Sequence, residues 1–373
     1  MDNHLHIVTH DVPWPADFGG VVDLFYKIKA LHNLGIKIHL HCFTAGRPEQ
    51  KILNNYCASV QYYQRKKGLA GFSMRIPYIV NSRKDDTLLK DLEKDNYPIL
   101  LEGIHSTYFL QHNKLKHRKV FVRLHNVEYK YYEQLAKLET NFARKTYFKM
   151  ESRLLKKYEE QLAKKTTFWA VSNEDLQVYK NEFNAEHIHF MPVFLPWDEI
   201  NSEAGKGNFC LYHGNLSINE NEKAAAWLLN EVFKNINIPF TIAGKDPSPR
   251  LKVLAAAHAH INLVENPSET EMQDLIKKAQ VNILPSFNNT GVKLKLLNAL
   301  YNGRHCLVNR AAVEGSAIET QCTIASSANE FIAGTKILFD EPFTETKMLQ
   351  RSAVLNDIYN TGKNARKLIA WIY

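Results

Sequence analysis

The feature that most constrains this chain is an alternation of short, nearly unbroken apolar runs with longer amphipathic stretches, and the alternation comes in two series. The first series holds LHIVT (5–9), KIHLHCF (37–43), SVQYY (59–63), PILLEG (98–103), KVFVRL (119–124), FWAVS (168–172) and IHFMPV (188–193). The second holds FCLYHG (209–214), FTIAG (240–244), INLVE (261–265), VNILPS (281–286), HCLVN (305–309) and CTIA (322–325). A strand that is apolar on both faces must be covered on both faces. Helices between such strands supply the cover, so each series predicts a parallel sheet in an α/β layer structure. The helical stretch 21–34 shows the pattern well: Val21, Leu24, Phe25, Ile28, Leu31 and Leu34 share one face, and Gly35 stands where a helix C-terminus favours glycine.

The two series are separated by FLPWDEINSEAGKGN (194–208), which is polar, has no period and reads as a hinge. A chain of 373 residues also exceeds what one core usually organises. We therefore expect an α/β protein of two Rossmann-like, doubly wound parallel-sheet domains facing a central cleft. The expected bounds are 1–195 and 196–354, with a helix over 355–373 packing back onto the first domain. In open α/β sheets, ligands sit beyond the carboxyl ends of the strands, so the loops after the strands are where chemistry belongs. The stretch 127–165 is helical in pattern throughout and crowded with basic residues, among them Arg144, Lys145, Lys149, Arg153, Lys156 and Lys157.

Bulk properties exclude more than they select. No apolar run reaches the roughly 18 residues of a membrane-spanning helix, and the N-terminal MDNHLHIVTHD enters a strand without the pattern of a secretory signal. The five cysteines are scattered, without a CxxC pair, which fits a reducing cytoplasm rather than a disulfide framework or structural zinc. A net charge of +8 suits nucleic acid, an anionic membrane or a phosphate-bearing substrate alike. No nucleic-acid module is recognisable, so nucleic acid is not an expected partner. The cluster Arg65, Lys66, Lys67 lies in a segment, 62–84, that has no acidic residue. With the basic helix it suggests peripheral docking on anionic lipid at the inner face of the membrane.

Three loops carry residues suited to chemistry. HDVPWPADFGG (10–20) ends in Gly19-Gly20 at a helix start, where adjacent glycines let a diphosphate approach free amide groups; a tight loop is the plainer reading. The dinucleotide fingerprint GxGxxG is absent, which argues against a nicotinamide enzyme. PSFNNTGVKLKLLNAL (285–300) places Gly291 at an expected helix start and Lys293 and Lys295 in its first turn. Cations there oppose the helix dipole, and a bound polyanion would explain them, although solvated surface charge is the plain alternative. Lys295 and Asn298 should share a face while Lys293 points elsewhere. In VRLHNVEYKYYEQL (122–135), His125 and Asn126 directly follow a strand, where a histidine meets sugar hydroxyls or a developing charge, or is structural. The histidines show no metal-binding spacing, so no metal is expected.

At these residues the chain resembles the family 4 retaining glycosyltransferases of the GT-B superfamily, nearly end to end. PWPADFGG with LHNLG looks like the family's first glycine loop, and RLHNVEYKYY resembles the segment with the active-site histidine. LYHGNLSINENEKAAAWL is similar to the opening of its second domain, and LPSFNNTGVKLKLLNALYNGRHCLVN to its donor-nucleotide motif. The resemblance implies a nucleoside-diphosphate sugar donor held by the second domain and a glycan or lipid-linked acceptor held by the first. It also implies retention without a metal, and a place in polysaccharide synthesis. On it, Gly19 and Gly20 approach the diphosphate, His125 and Asn126 lie by the donor sugar, and Lys295 neutralises the leaving phosphates, with Lys223 a second candidate. Thr290, Gly291, Val292, Lys293 and Asn298 form the donor loop. Two departures stand out. Thr290 and Asn298 hold the places of a glutamate pair, the second of which typically grips the ribose, and Asn215 replaces an arginine common after the second domain's first strand. A non-catalytic GT-B subunit with a weakened nucleotide pocket, or a sugar-nucleotide epimerase, are the alternatives; an epimerase needs carboxylates poised for proton transfer, and Glu102 is the one candidate.

Overall fold

The computed structural model describes residues 3–373 apart from Phe18, Ala45, Asn289 and Thr290. The chain divides into two compact units, Met1–Pro196 with Tyr359–Tyr373, and Trp197–Ile358.

Each apolar run of the sequence forms a strand. The first unit has β1 (His4–Thr9), β2 (Lys37–Thr44), β3 (Ser59–Gln64), β4 (Ile99–Glu102), β5 (Val120–Leu124), β6 (Thr167–Ala170) and β7 (Ile188–Phe190). They lie in the order β3-β2-β1-β4-β5-β6-β7, every neighbour parallel. Alternate residues of β1 feed two cores: Leu5 and Ile7 join Phe25, Ile28 and Leu31 of the helix Gly19–Asn33, whereas Val8 joins Val122, Leu155 and Leu162 on the other face. Each large aliphatic side chain buried this way contributes about 1.5–3 kcal/mol against the entropy of ordering the chain.

Two helical expectations change in detail. The stretch 127–165 is two helices, Glu128–Leu138 and Phe142–Leu162, and the Asn141 side chain caps the second by accepting from Arg144 N. The helix expected over 355–373 is the end of Glu345–Tyr359 and a separate helix, Thr361–Ile372. Asn360 breaks them apart, its side chain accepting from Lys363 N as an N-cap. Ala365, Leu368 and Ile372 of the last helix complete the first unit's core beside the helix Gly19–Asn33.

The second unit has β8 (Cys210–Asn215), β9 (Phe240–Lys245), β10 (Ile261–Glu265), β11 (Val281–Ile283), β12 (His305–Val308) and β13 (Thr323–Ile324). Their order is β10-β9-β8-β11-β12-β13, again parallel throughout. Both sheets reverse strand order once, between β1 and β4 and between β8 and β11, and the loops at those reversals are the places such sheets bind ligands. Cys42, Cys210 and Cys306 are buried within strands. Among the described residues no helix is long and apolar enough to cross a membrane.

Candidate functional site

In the first unit the reversal point gathers charge. Glu102 ends β4 and is fully buried, and His125 follows β5 with its side chain 12% exposed. The His125 Nε2 lies 3.0 Å from Glu102 Oε2. The other carboxylate oxygen of Glu102 pairs at 2.8 Å with Lys27, which also meets Asp23 at 3.1 Å. Arg123, inside β5, grips Asp23 with two bonds of 2.9 Å and donates to the Met191 and Pro192 carbonyls. Burial alone would raise the Glu102 carboxyl, but the Lys27 ammonium and the His125 bond hold it below the usual carboxylate range. An ionised Glu102 only accepts, so His125 donates its Nε2 proton to it. His10 and His105 stack beside it, their ring centroids 5.0 Å apart, and His10 meets His125 edge-on at 5.4 Å. Burial lowers the pKa of both well below the ordinary value, so they stay neutral near pH 7.

Asp23, Glu102 and His125 offer ligand atoms within 4.8 Å of one another, a spacing a metal ion could use. The donor set argues otherwise, because Lys27 and Arg123 already supply two cations to the two carboxylates. The same ion pairs remove Glu102 as a poised proton carrier, which weighs against epimerase chemistry. Asn126 bonds the Glu128 side chain, whose carboxyl is pushed up to about 8 by burial and by Asp175. Gly19 and Gly20 open the first helix after β1, on the same edge of the sheet.

In the second unit the loop after β11 and the start of the helix after β8 come together. Gly291 has φ +68°, a left-handed conformation that suits glycine, and Val292 follows it half-buried. Lys293 is extended (φ −85°, ψ 93°), so the helix is Leu294–Asn302, starting three residues after the expected glycine. Thr290 lies outside the described residues. The late start corrects the expectation for Lys293. Helical spacing does not apply to a residue ahead of the helix, and Lys293 is drawn to Glu220 and Glu314. Lys295 is drawn to Glu220 as well and is repelled by Lys293. Both lysines therefore lie within the influence of Glu220.

Lys295 Nζ donates to Asn221 Oδ1 at 3.0 Å and Tyr212 Oη at 3.3 Å, and lies over the Tyr212 ring, 4.9 Å from its centroid. Burial pulls its pKa down to about 8 in spite of Glu220. Glu220 is held in turn by Ser286 Oγ at 2.9 Å and Asn288 Nδ2 at 3.3 Å. Asn298 lies three residues beyond Lys295, and its Oδ1 accepts from Asn302 at 2.8 Å. Asn215 ends β8 exposed, its side chain accepting from Ser217. Lys223 is not brought to this cluster. It stands two residues past Asn221 on the helix Asn219–Trp227, about 200° round its axis, and lines a separate cavity with Trp227 and Arg250.

A cavity of about 630 Å³ in the first unit, lined by Lys116, Arg118, Lys119, Lys164 and Lys165, opens at the amino ends of β5 and β6. It is on the edge opposite His125 and is not part of this site.

Sequence reasoning missed Asp23, Lys27 and Arg123. Their signal was charge inside apolar patterns, an i, i+4 pair on the buried helix face and an arginine within VFVRL. Glu220, Asn221 and Ser286 gave no such signal, since polar residues in a helix's first turn or a loop are ordinary.

Residues 207–340 match the family described as Glycosyl transferases group 1. An uncharacterized 44.6 kDa protein in the cps region of Klebsiella pneumoniae is 27% identical over 335 residues, which cover 83% of this chain and 84% of that one. Among solved structures, sucrose-phosphate synthase from Thermosynechococcus elongatus superposes with a TM-score of 0.71 at 13% identity, over 99% of this chain and 98% of that one. The α,α-trehalose-phosphate synthase (UDP-forming) from Burkholderia xenovorans gives 0.66 at 10% identity, with both chains fully covered. A mutant of S. aureus TarM, solved in complex with UDP, gives 0.65 at 9% identity over 99% of each chain. At such identities the likeness to the solved structures establishes the fold.

Proposed function

We propose that this chain, whose residues 207–340 match the family described as Glycosyl transferases group 1, is a glycosyltransferase of the GT-B type that moves a sugar from a nucleoside diphosphate to a glycan or lipid-linked acceptor with retention. The observation that carries the reading is the Lys293–Lys295 pair beside Gly291. Both lysines are half-buried and feel the Glu220 charge, and desolvation pulls both below their usual pKa in spite of it. Burial outweighs the compensation that Glu220 gives Lys295, and a diphosphate would redress the balance.

Chemically, the difficult event is departure of the diphosphate, and neutralising that developing charge is usually the largest catalytic contribution. Lys295 takes that role, with Lys293 beside it. Gly19 and Gly20 offer amide hydrogens to the phosphates. His125, its Nε2 proton committed to Glu102, turns its other ring nitrogen to a hydroxyl of the transferred sugar, and no protein nucleophile is assigned. Asn298 bonds the ribose without charge assistance. A relative in a cps region supports an acceptor in polysaccharide synthesis.

The test is a thermal-shift panel of UDP, GDP, ADP and their sugars, since a ligand of the folded state raises its apparent stability. UDP leads the panel because two of the similar structures name it. A panel in which no nucleotide moves the melting temperature refutes the donor reading.

A further inference from the structure

Loops normally keep large apolar side chains out of water, and two neighbouring segments of the first unit do not. A 3₁₀ turn, Gly68–Gly71, leaves Leu69 91% exposed, and Met74 just beyond it is 79% exposed. The turn is fixed in place. Asn81 Nδ2 donates to the Gly71 carbonyl at 3.0 Å, Lys66 N to the Ser82 carbonyl at 2.8 Å, and a Cβ at Gly71 would stand 2.9 Å from the Tyr78 ring. The second segment is the turn between helices Glu128–Leu138 and Phe142–Leu162, where Leu138 is 66% and Phe142 83% exposed. Tyr78 N donates to Glu151 Oε2 at 2.8 Å, which ties the segments together, and within the first segment Arg65 lies over the Tyr78 ring, 5.4 Å from its centroid. Phe142 stands nine residues before Glu151, about 13 Å along the helix.

Cations surround these side chains. Lys66, Lys67 and Arg75 are exposed on the first segment, Lys137, Arg144 and Lys149 on the second. Residues 62–84 contain no acidic side chain. On the second segment Glu139 is paired with Arg144 at 3.8 Å, and Glu133 is exposed. Single apolar residues ringed by lysines do not suit a protein partner, whose interfaces are depleted in lysine. They suit the boundary of an anionic bilayer, which takes apolar side chains at headgroup depth and attracts each cation. Both segments follow the carboxyl ends of strands, β3 and β5, on the same sheet edge as His125.

We infer that the surface formed by Leu69, Met74, Leu138 and Phe142 docks the first unit on an anionic membrane, which selects a lipid-linked acceptor over a free glycan. The inference rests on the proposed transferase activity for the acceptor alone; the docking itself does not need it.

Vesicle co-sedimentation tests it, using phosphatidylcholine with about 30% phosphatidylglycerol against pure phosphatidylcholine. Binding is expected on the anionic vesicles, absent on the neutral ones, and largely lost at about 0.5 M salt. Lys66→Ala with Lys67→Ala should weaken partition about twenty-five-fold, fivefold for each charge. Leu69→Ser with Met74→Ser and Phe142→Ser should weaken it at least as much, and both variants should keep the wild-type melting temperature and nucleotide affinity. Equal binding to neutral vesicles, no binding to anionic ones at low salt, or self-association through this patch with no vesicle binding would overturn the inference. Vesicle binding without nucleotide binding would instead leave the docking surface standing and remove the donor reading.

Discussion

Lys295 offers a measurement that separates a diphosphate site from a merely buried lysine. Burial, aided by the Lys293 charge and opposed by Glu220, sets its pKa at about 8 in the free protein. A bound diphosphate would raise the pKa again, because the charged form gains a partner. Binding then requires a proton on Lys295. Below pH 8 the proton is already there; above pH 8 it must be taken up, and affinity falls with pH until the pKa of the complex is reached. The fraction protonated drops from about nine-tenths at pH 7 to about one-tenth at pH 9, so the Kd should rise roughly tenfold across that span. Nucleotide phosphates do not confuse the result, since their last ionisation lies near pH 6. Calorimetry in two buffers of different ionisation enthalpy would show proton uptake at pH 9 and almost none at pH 7. Lys295→Ala removes a charge-assisted contact of about 1.5–3 kcal/mol, weakening binding ten- to a hundredfold at pH 7, and should remove most of the pH slope. Lys295→Arg should keep the affinity and flatten the profile. A wild-type Kd that is constant between pH 7 and 9 would refute the argument.

Further outcomes follow from the same geometry. His125→Ala should abolish transfer and leave nucleotide affinity within about twofold, which activity and calorimetry on one preparation check; normal turnover would make His125 structural. Arg123→Met leaves Asp23 underpaired in a dry place, so thermal unfolding of the first unit should show a loss of about 3–5 kcal/mol. Asn298→Glu should tighten nucleotide binding by about 1 kcal/mol, read by calorimetry, because a carboxylate grips a hydroxyl more strongly than an amide does. Glu128 binds a proton in the fold up to about pH 8, whereas its unperturbed value is 4.5. Its burden is therefore absent at low pH and grows as pH rises through that window, so Glu128→Gln should raise the melting temperature near pH 8 and change it little near pH 4.

The strands were legible because both faces of each sheet are covered. Every residue of a run such as VFVRL must then be buried, and composition alone marks the strand. Helix ends were less legible. Gly291 looked like a helix start, yet its positive φ and the extended Lys293 postpone the helix to Leu294. With that one shift, helical spacing no longer sets the direction of Lys293. The stretch 127–165 kept its helical pattern through residues 139–141, where the Asn141 cap, a single polar residue among many, starts a new helix. His125 and Lys295 were found as residues, but the partners that set their state were not. Glu220 reaches the lysines from the first turn of the helix after β8, and Lys27 reaches Glu102 from the helix after β1. Such meetings depend on strand order, which periodicity does not encode.

The return of Thr361–Ile372 to the first unit governs the order in which the protein can be made. Ala365, Leu368 and Ile372 are fully buried against residues near the other end of the chain. Until the ribosome has passed residue 372, the helix Gly19–Asn33 must wait with an uncovered apolar stripe, while 197–358, continuous in sequence, can close as soon as it emerges. At about 5–20 residues per second the wait after residue 196 is roughly 10–30 s. During that interval the nascent first unit is the part of the molecule most exposed to aggregation and most in need of a chaperone.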